Sequence, residues 1–410
     1  MKILAVANAH ALAHVSRLLE IAKVLRELGH SIVFAGHGKY LTIAEWDGFE
    51  TRELPYISVE QVVRAVRSQR LWELYRENEL IEFIQAERRL YESERPDLVL
   101  IDNRPTARTS AEQAGIKTAA VLNVHMSNYR RIPFFSVRNI PGLNKLPGAG
   151  VADKLENMSE CLIYDRLVMG GLNAIRRKAG LSRLYAYEHE EGDLTLLADV
   201  PEFNPANSIP AHATYVGPLT WHNTLAPPAC LNRLDPKRPT VYLSLGSEGL
   251  EDMVGHLGLL SKEGIQVVVA LGAANLSPNL RVPDGVHLER YVNADALLPH
   301  CDLVCCHGGN GTLYQALSHG LPAVVVATHA EQHYGGKRME SLGLGRTTTL
   351  KRLRKQGWKY LVEMIQTVLG TSHYQVNAAA FSEHLKGQNS AQRAAGQITS
   401  LLQSLGPTSR

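Results

Sequence analysis

Residues 301 to 345, CDLVCCHGGNGTLYQALSHGLPAVVVATHAEQHYGGKRMESLGLG, decide the fold. The apolar run Asp302 to Cys306 predicts a short buried strand, followed by a glycine-rich turn from His307 to Gly311. A helix from Thr312, a second apolar strand over Ala323 to Val326 and a second helix complete the stretch. A strand that runs through glycines into a helix N-terminus makes an anion site. The free N–H groups of the first turn and the helix dipole both point at whatever sits there. Three glycines in five residues let the backbone approach a bulky ligand, and phosphate is the expected one.

Outward from that stretch, composition bounds the answer. At 410 residues the chain is too long for one core and suits two domains. Hydrophobic residues at 45% and charged residues at 20% are ordinary for a globular protein. A formal charge of +3 is small for this length and gives no reason to expect nucleic acid, which would want a basic face. The five cysteines (Cys161, Cys230, Cys301, Cys305 and Cys306) are odd in number and three crowd one strand. A disulfide framework is therefore not expected, and a reducing compartment is. The spacing Cys301, Cys305, Cys306, His307 has no second paired-ligand half, so no metal is expected there. The opening MKILAVANAHALAH lacks the pattern of a signal peptide, and no apolar stretch is long enough to span a membrane. The expectation is a soluble cytoplasmic enzyme; the oligomeric state is not readable.

Along the chain, Lys2 to Ala7, a helix from about Val15 to Leu28, and Ser31 to Ala35 form a strand–helix–strand unit. Residues 58 to 93 read as a long charged amphipathic helix. Strands are expected over Asp97 to Ile101 and Thr118 to Leu122, with a helix over Thr109 to Ala114 between them. Residues 129 to 150 are too irregular for an element and read as an acceptor-side or connecting loop. A second α/β unit starts at Val241 to Leu245, with Gly246-Ser247 as its first turn. The expected domains are 1–220, a proline-rich linker over 221–238, a second domain over 239–376, and a C-terminal helix and tail over 377–410 that pack back on the first.

HGGNGTLYQALSHGLPAVVVATHAEQ resembles the nucleotide-sugar signature of the inverting GT-B glycosyltransferases of family 1. These include the bacterial macrolide and antibiotic glycosyltransferases and the UDP-sugar transferases. The opening MKILAVANAHALAHVSRLLEIAKVLRELGHSIVFAG and the tripeptide GPL at 217 to 219 are similar to the same family. The resemblance implies an α/β fold of two Rossmann-like, doubly wound parallel-sheet domains facing across a cleft, the first binding acceptor and the second a nucleotide-sugar. By position it implies that His307, Gly309 and Thr312 hold the pyrophosphate with Ser247, and that Asn310 and Gly311 belong to the same donor site. It places Tyr291 and Val292 near the base, Gln315 at the ribose, and Glu331 and Gln332 on the sugar hydroxyls. Gln315 stands where many members carry glutamate, so a dTDP-sugar joins UDP-sugar as the expected co-substrate.

The resemblance further implies His14 as general base, with Asp102 as the carboxylate that orients it. Glycosyl transfer to a hydroxyl needs a group that takes the proton, and imidazole titrates near neutrality. His10 is a rival base and, with His125, a candidate acceptor contact. No cofactor or metal is implied, because helix N-termini can carry the charge of the departing diphosphate. The expected activity is sugar transfer to a hydroxyl of a small, natural-product-like acceptor. The alternatives are a non-catalytic nucleotide-sugar-binding protein and a sugar-nucleotide epimerase of the same shape.

Overall fold

A computed structural model describes residues 1–58, 61, 64–65, 70–136, 148–244, 251–272 and 282–405. The chain forms two compact units, one from Met1 to Leu219 that takes back the chain from Asn389 onward, the other Thr220–Gln388.

The strands of the first unit are β1 (Lys2–Asn8), β2 (Ser31–His37), β3 (Glu50–Glu53), β4 (Leu98–Asp102), β5 (Lys117–Leu122), β6 (Leu194–Leu197) and β7 (Ala213–Tyr215). They pair in parallel in the order β3-β2-β1-β4-β5-β6-β7. The central strands read ILAVA and LVLI and are buried on both faces, as helical crossovers on both sides require. The strands of the second unit are β8 (Thr240–Ser244), β9 (Gln266–Ala270), β10 (Val286–Glu289), β11 (Leu303–Cys306), β12 (Ala323–Ala327) and β13 (Gly345–Thr349). Their order is β10-β9-β8-β11-β12-β13, again all parallel.

Both sheets reverse their order once beside the first strand, between β1 and β4 and between β8 and β11. Neighbouring crossovers leave to opposite sides at such a point, opening a crevice at the carboxyl ends of the two strands.

The structure corrects several boundaries. Residues 58 to 93 are not one helix: a single turn at Leu71–Glu73 precedes the helix Glu77–Glu94. In the break Tyr75 packs edge-on against the His189 ring, 5.8 Å between centroids. In the loop 129 to 150, residues 137–147 lie outside the described residues, and a helix Ala149–Leu167 already begins at the end of that span. The proline-rich segment after residue 220 is built into the second unit, where Asn223 Nδ2 donates to the Val292 carbonyl at 3.0 Å and Cys230 is buried. The division expected at 377 falls inside a helix, Ser372–Leu385, that belongs to the second unit. Its Asn377 Nδ2 donates to the Gly343 carbonyl at 3.1 Å, which ties it there. The last helix, Ser390–Ser404, packs on the helix Leu12–Glu27 of the first unit, burying Ala394, Ala395, Ile398 and Leu402.

Candidate active site

In the first unit the helix Leu12–Glu27 leaves the end of β1 and carries His14 in its first turn. Asp102 is the last residue of β4, the strand beside β1 in the sheet. The two therefore meet at the reversal point: His14 Nδ1 lies 2.7 Å from Asp102 Oδ1. A carboxylate can only accept, so Nδ1 carries the proton and Nε2 is left as the basic nitrogen of the ring. The His14 side chain is 23% exposed and that of Asp102 is fully buried. The His14 ring is thus reachable from outside, and its carboxylate partner is shielded.

Two further side chains, which sequence reasoning missed, complete this group. Arg17 grips both Asp102 oxygens, with Nε to Oδ2 at 2.8 Å and Nη2 to Oδ1 at 2.6 Å. Its Nη1 donates to Asn123 Oδ1 at 2.6 Å, and Asn123 Nδ2 donates to the Ala198 carbonyl at 2.9 Å. A signal was present in the sequence. Arg17 stands three residues after His14, on the same helical face, in a run whose neighbours Leu18, Leu19, Ile21 and Ala22 are all core residues.

The other expected residues of this unit make different contacts. His10 Nε2 is 3.2 Å from the Ile57 carbonyl, which only accepts, so that nitrogen is protonated and is no base. His125 is 2% exposed, its ring edge-on to Phe134 at 6.0 Å, which packs it into the core. Glu190, in a turn that follows the helices, is a buried carboxyl near the group. Burial and the charge of Asp102 push it up to about 8.

In the second unit β11 ends at Cys306, and His307 and Gly308 lead to Gly309, which begins the helix Asn310–Ser318. Gly309 offers no side-chain cap, so the amides of Asn310, Gly311 and Thr312 open the helix without one. Glycine is required at 308, where φ is +99° and a Cβ would lie 2.7 Å from both the Gln332 carbonyl oxygen and Val325 Cγ1. That close approach sets the helix Ala330–Ser341 against the turn. Thr312 and Gln315 share one face of their helix, and Gln315 Nε2 donates to the Trp221 carbonyl at 3.4 Å.

Glu331 and Gln332 do not present side by side. Glu331 is exposed, whereas Gln332 is 4% exposed and its Oε1 accepts from the Thr328 amide at 2.9 Å and hydroxyl at 2.8 Å. Tyr291 and Val292 join β10 to the short helix Ala294–Leu297, with Val292 buried and Tyr291 half-buried. Ser247 lies outside the described residues.

The cysteines of β11 behave as small hydrophobes. Adjacent strand residues face opposite sides, so Cys305 packs with Leu243, Val324 and Val326 while Cys306 turns to the other face. Burial pushes the Cys306 thiol up to about 12, away from the thiolate that binds metal. No group of three metal-ligating side chains occurs among the described residues. Nor is any helix there long and apolar enough to cross a membrane.

The chain as a whole is similar to known proteins. A PGL/p-HBAD biosynthesis rhamnosyltransferase of Mycobacterium bovis (strain BCG / Pasteur 1173P2) is 30% identical over 387 residues, covering 93% of this chain and 84% of that protein. The chain belongs to the GT-B, family 1-like glycosyltransferases. A PGL/p-HBAD biosynthesis glycosyltransferase of Mycobacterium tuberculosis is 29% identical over 386 residues, covering 93% of this chain and 88% of that protein. The family described as erythromycin biosynthesis protein CIII-like, C-terminal domain, matches residues 253–401 of this glycosyltransferase. Solved structures share its GT-B fold. The spinosyn rhamnosyltransferase SpnG superposes with a TM-score of 0.69 at 18% identity, covering 98% of this chain and 100% of that one. The calicheamicin glycosyltransferase CalG4 gives 0.68 at 20% identity, covering 99% of each.

Proposed function

We propose that this glycosyltransferase moves one sugar, with inversion and without a metal, from a UDP- or dTDP-sugar to a hydroxyl of a small natural-product-like acceptor. The observation that carries the reading is the 2.7 Å contact between His14 and buried Asp102 at the sheet reversal. The acceptor O–H gives its proton to His14 Nε2 as its oxygen attacks the anomeric carbon. The bond from that carbon to the diphosphate oxygen breaks on the opposite face, which inverts the centre. Asp102 holds the Nδ1–H tautomer and offsets the charge of the imidazolium as it forms. In the second unit the amides of Asn310, Gly311 and Thr312, together with His307, take the negative charge of the departing diphosphate.

A deoxyhexose carried on dTDP suits the chain best among donors. One 30%-identical relative is named a rhamnosyltransferase, and SpnG has a structure complexed with thymidine diphosphate. Gln315, a neutral amide held to the Trp221 carbonyl, accepts hydroxyls more weakly than a carboxylate would.

The test is mass spectrometry of the purified protein with dTDP-rhamnose or UDP-glucose and a panel of phenolic acceptors. A glycosylated product that disappears in His14→Ala supports the reading. Conversion of the donor in the absence of any acceptor points to an epimerase. Donor binding without turnover points to a non-catalytic binder.

A further inference from the structure

Asp102 accepts from three donors at once: the His14 ring and two nitrogens of Arg17. A carboxylate buried to this degree with a histidine as its only cationic partner would draw a proton onto the imidazole and hold it as an ion pair, because an uncompensated buried charge is costly. A histidine that is already an imidazolium cannot take a proton from a hydroxyl. Arg17 changes that balance. It neutralises Asp102 permanently, since guanidinium does not deprotonate, and it places a second positive group 3.3 Å from His14 Nδ1. Asn123, anchored to the Ala198 carbonyl, holds the guanidinium in register.

We propose that Arg17 is a positioning residue that offsets the Asp102 charge at the His14 ring while leaving the carboxylate free to orient it. The proposal rests on the reading of His14 as the base, and its test is independent of turnover.

Several ionisable groups described on the neighbouring elements have partners of their own. His37 on β2 pairs with Glu53, Asp47 pairs with Lys23, and Glu45 bonds to Thr51. The last helix, packed on this one, carries Arg393 as its charged side chain. The Glu190 carboxyl senses both Asp102 and Arg17: burial and the charge of Asp102 push it up to about 8, and Arg17 opposes that rise. Among the described residues, Asp102 and Arg17 are the charged side chains within hydrogen-bonding range of the His14 ring.

The experiment follows the ring Cε1–H signal of His14 against pH in the full chain labelled with 13C-histidine, assigned by its loss in His14→Ala. Arg17→Gln keeps an amide to bond Asp102 but removes the charge, and should move the titration midpoint of His14 up by about one pH unit or more. Arg17→Lys keeps the charge and should leave the midpoint within about half a unit of the native protein. Asp102→Asn, with Arg17 intact, should move the midpoint down, which tests the same charge should Arg17→Gln fail to fold. A midpoint that does not rise in folded Arg17→Gln, or does not fall in Asp102→Asn, overturns the proposal. If His14→Ala still transfers sugar while these midpoints move as stated, the base assignment fails and the electrostatic role of Arg17 stands.

Discussion

Asp102 ends β4 one strand away from the helix that carries His14, and the 2.7 Å bond between them spans the point where the first sheet reverses its order. The pair is separated by 88 residues in sequence and is brought together by the parallel register of Ala7 with Asp102. The register places the end of β4 beside the exit from β1. Replacing His14 with alanine should lower turnover by about 10²- to 10⁴-fold with little change in donor affinity, the range a general base contributes. Steady-state rates alongside calorimetric titration of dTDP separate the two effects. Equal losses in both would count against a role in proton transfer.

At the other reversal point, His307→Ala and Thr312→Val should each weaken dTDP binding. The loss of one hydrogen bond to a charged group, about 1.5–3 kcal/mol, corresponds to at least a tenfold rise in Kd. Calorimetry gives the value directly. Glu331→Gln, at an exposed residue, should leave dTDP affinity unchanged, since dTDP carries no sugar beyond its deoxyribose for that side chain to meet.

Gly308→Ala should destabilise the second unit. The new Cβ would sit 2.7 Å from a backbone oxygen at a φ of +99°, so neither the residue nor its neighbour can relax cheaply. A cost of about 1–3 kcal/mol follows from strain of this kind, visible as a lowered urea midpoint. An unchanged midpoint would mean that the turn and the helix Ala330–Ser341 are not packed as described.

The buried pair His189 and Glu190 makes stability fall on both sides of an intermediate pH. Burial pushes Glu190 up to about 8, so between its ordinary 4.5 and that value the folded state holds a proton the unfolded chain has lost. Stability from this group therefore declines as pH rises through that window. His189 is pushed down to about 3 by burial, so the unfolded chain gains its proton first, and stability declines as pH falls below 6.5. Glu190→Gln should reduce the decline in Tm between pH 5 and pH 8, a window set by those values. A decline as steep as in the native protein would place the titrating group elsewhere.

Much of this was legible in the sequence because it is local. The strand, the glycine turn and the helix start are set by neighbouring residues, so the segment from Cys301 to Gly345 could be read directly, and the strand–helix–strand opening likewise. The helix there starts at Asn310, two residues before Thr312, because Gly309 takes the extended capping conformation. What escaped is long-range. Spacing puts Arg17 on the helical face of His14, but it does not say that the guanidinium will bridge Asp102 and Asn123, 85 and 106 residues away. The bond from Gln332 to Thr328 turns on which way one side chain rotates at a helix start, which spacing does not fix. The break before Glu77 depends on where Tyr75 finds a buried partner, and amphipathic periodicity is blind to that.

The most direct test of the account is a thermal-shift comparison of the protein with UDP, dTDP, GDP and ADP, repeated on His307→Ala. A nucleotide at about a hundred times its Kd stabilises by roughly 2.7 kcal/mol, enough for a clear rise in Tm. The account predicts a rise with dTDP or UDP, greater than with GDP or ADP, that shrinks in His307→Ala. No rise with any of the four would contradict it, because the turn from His307 to Thr312 would then hold no diphosphate.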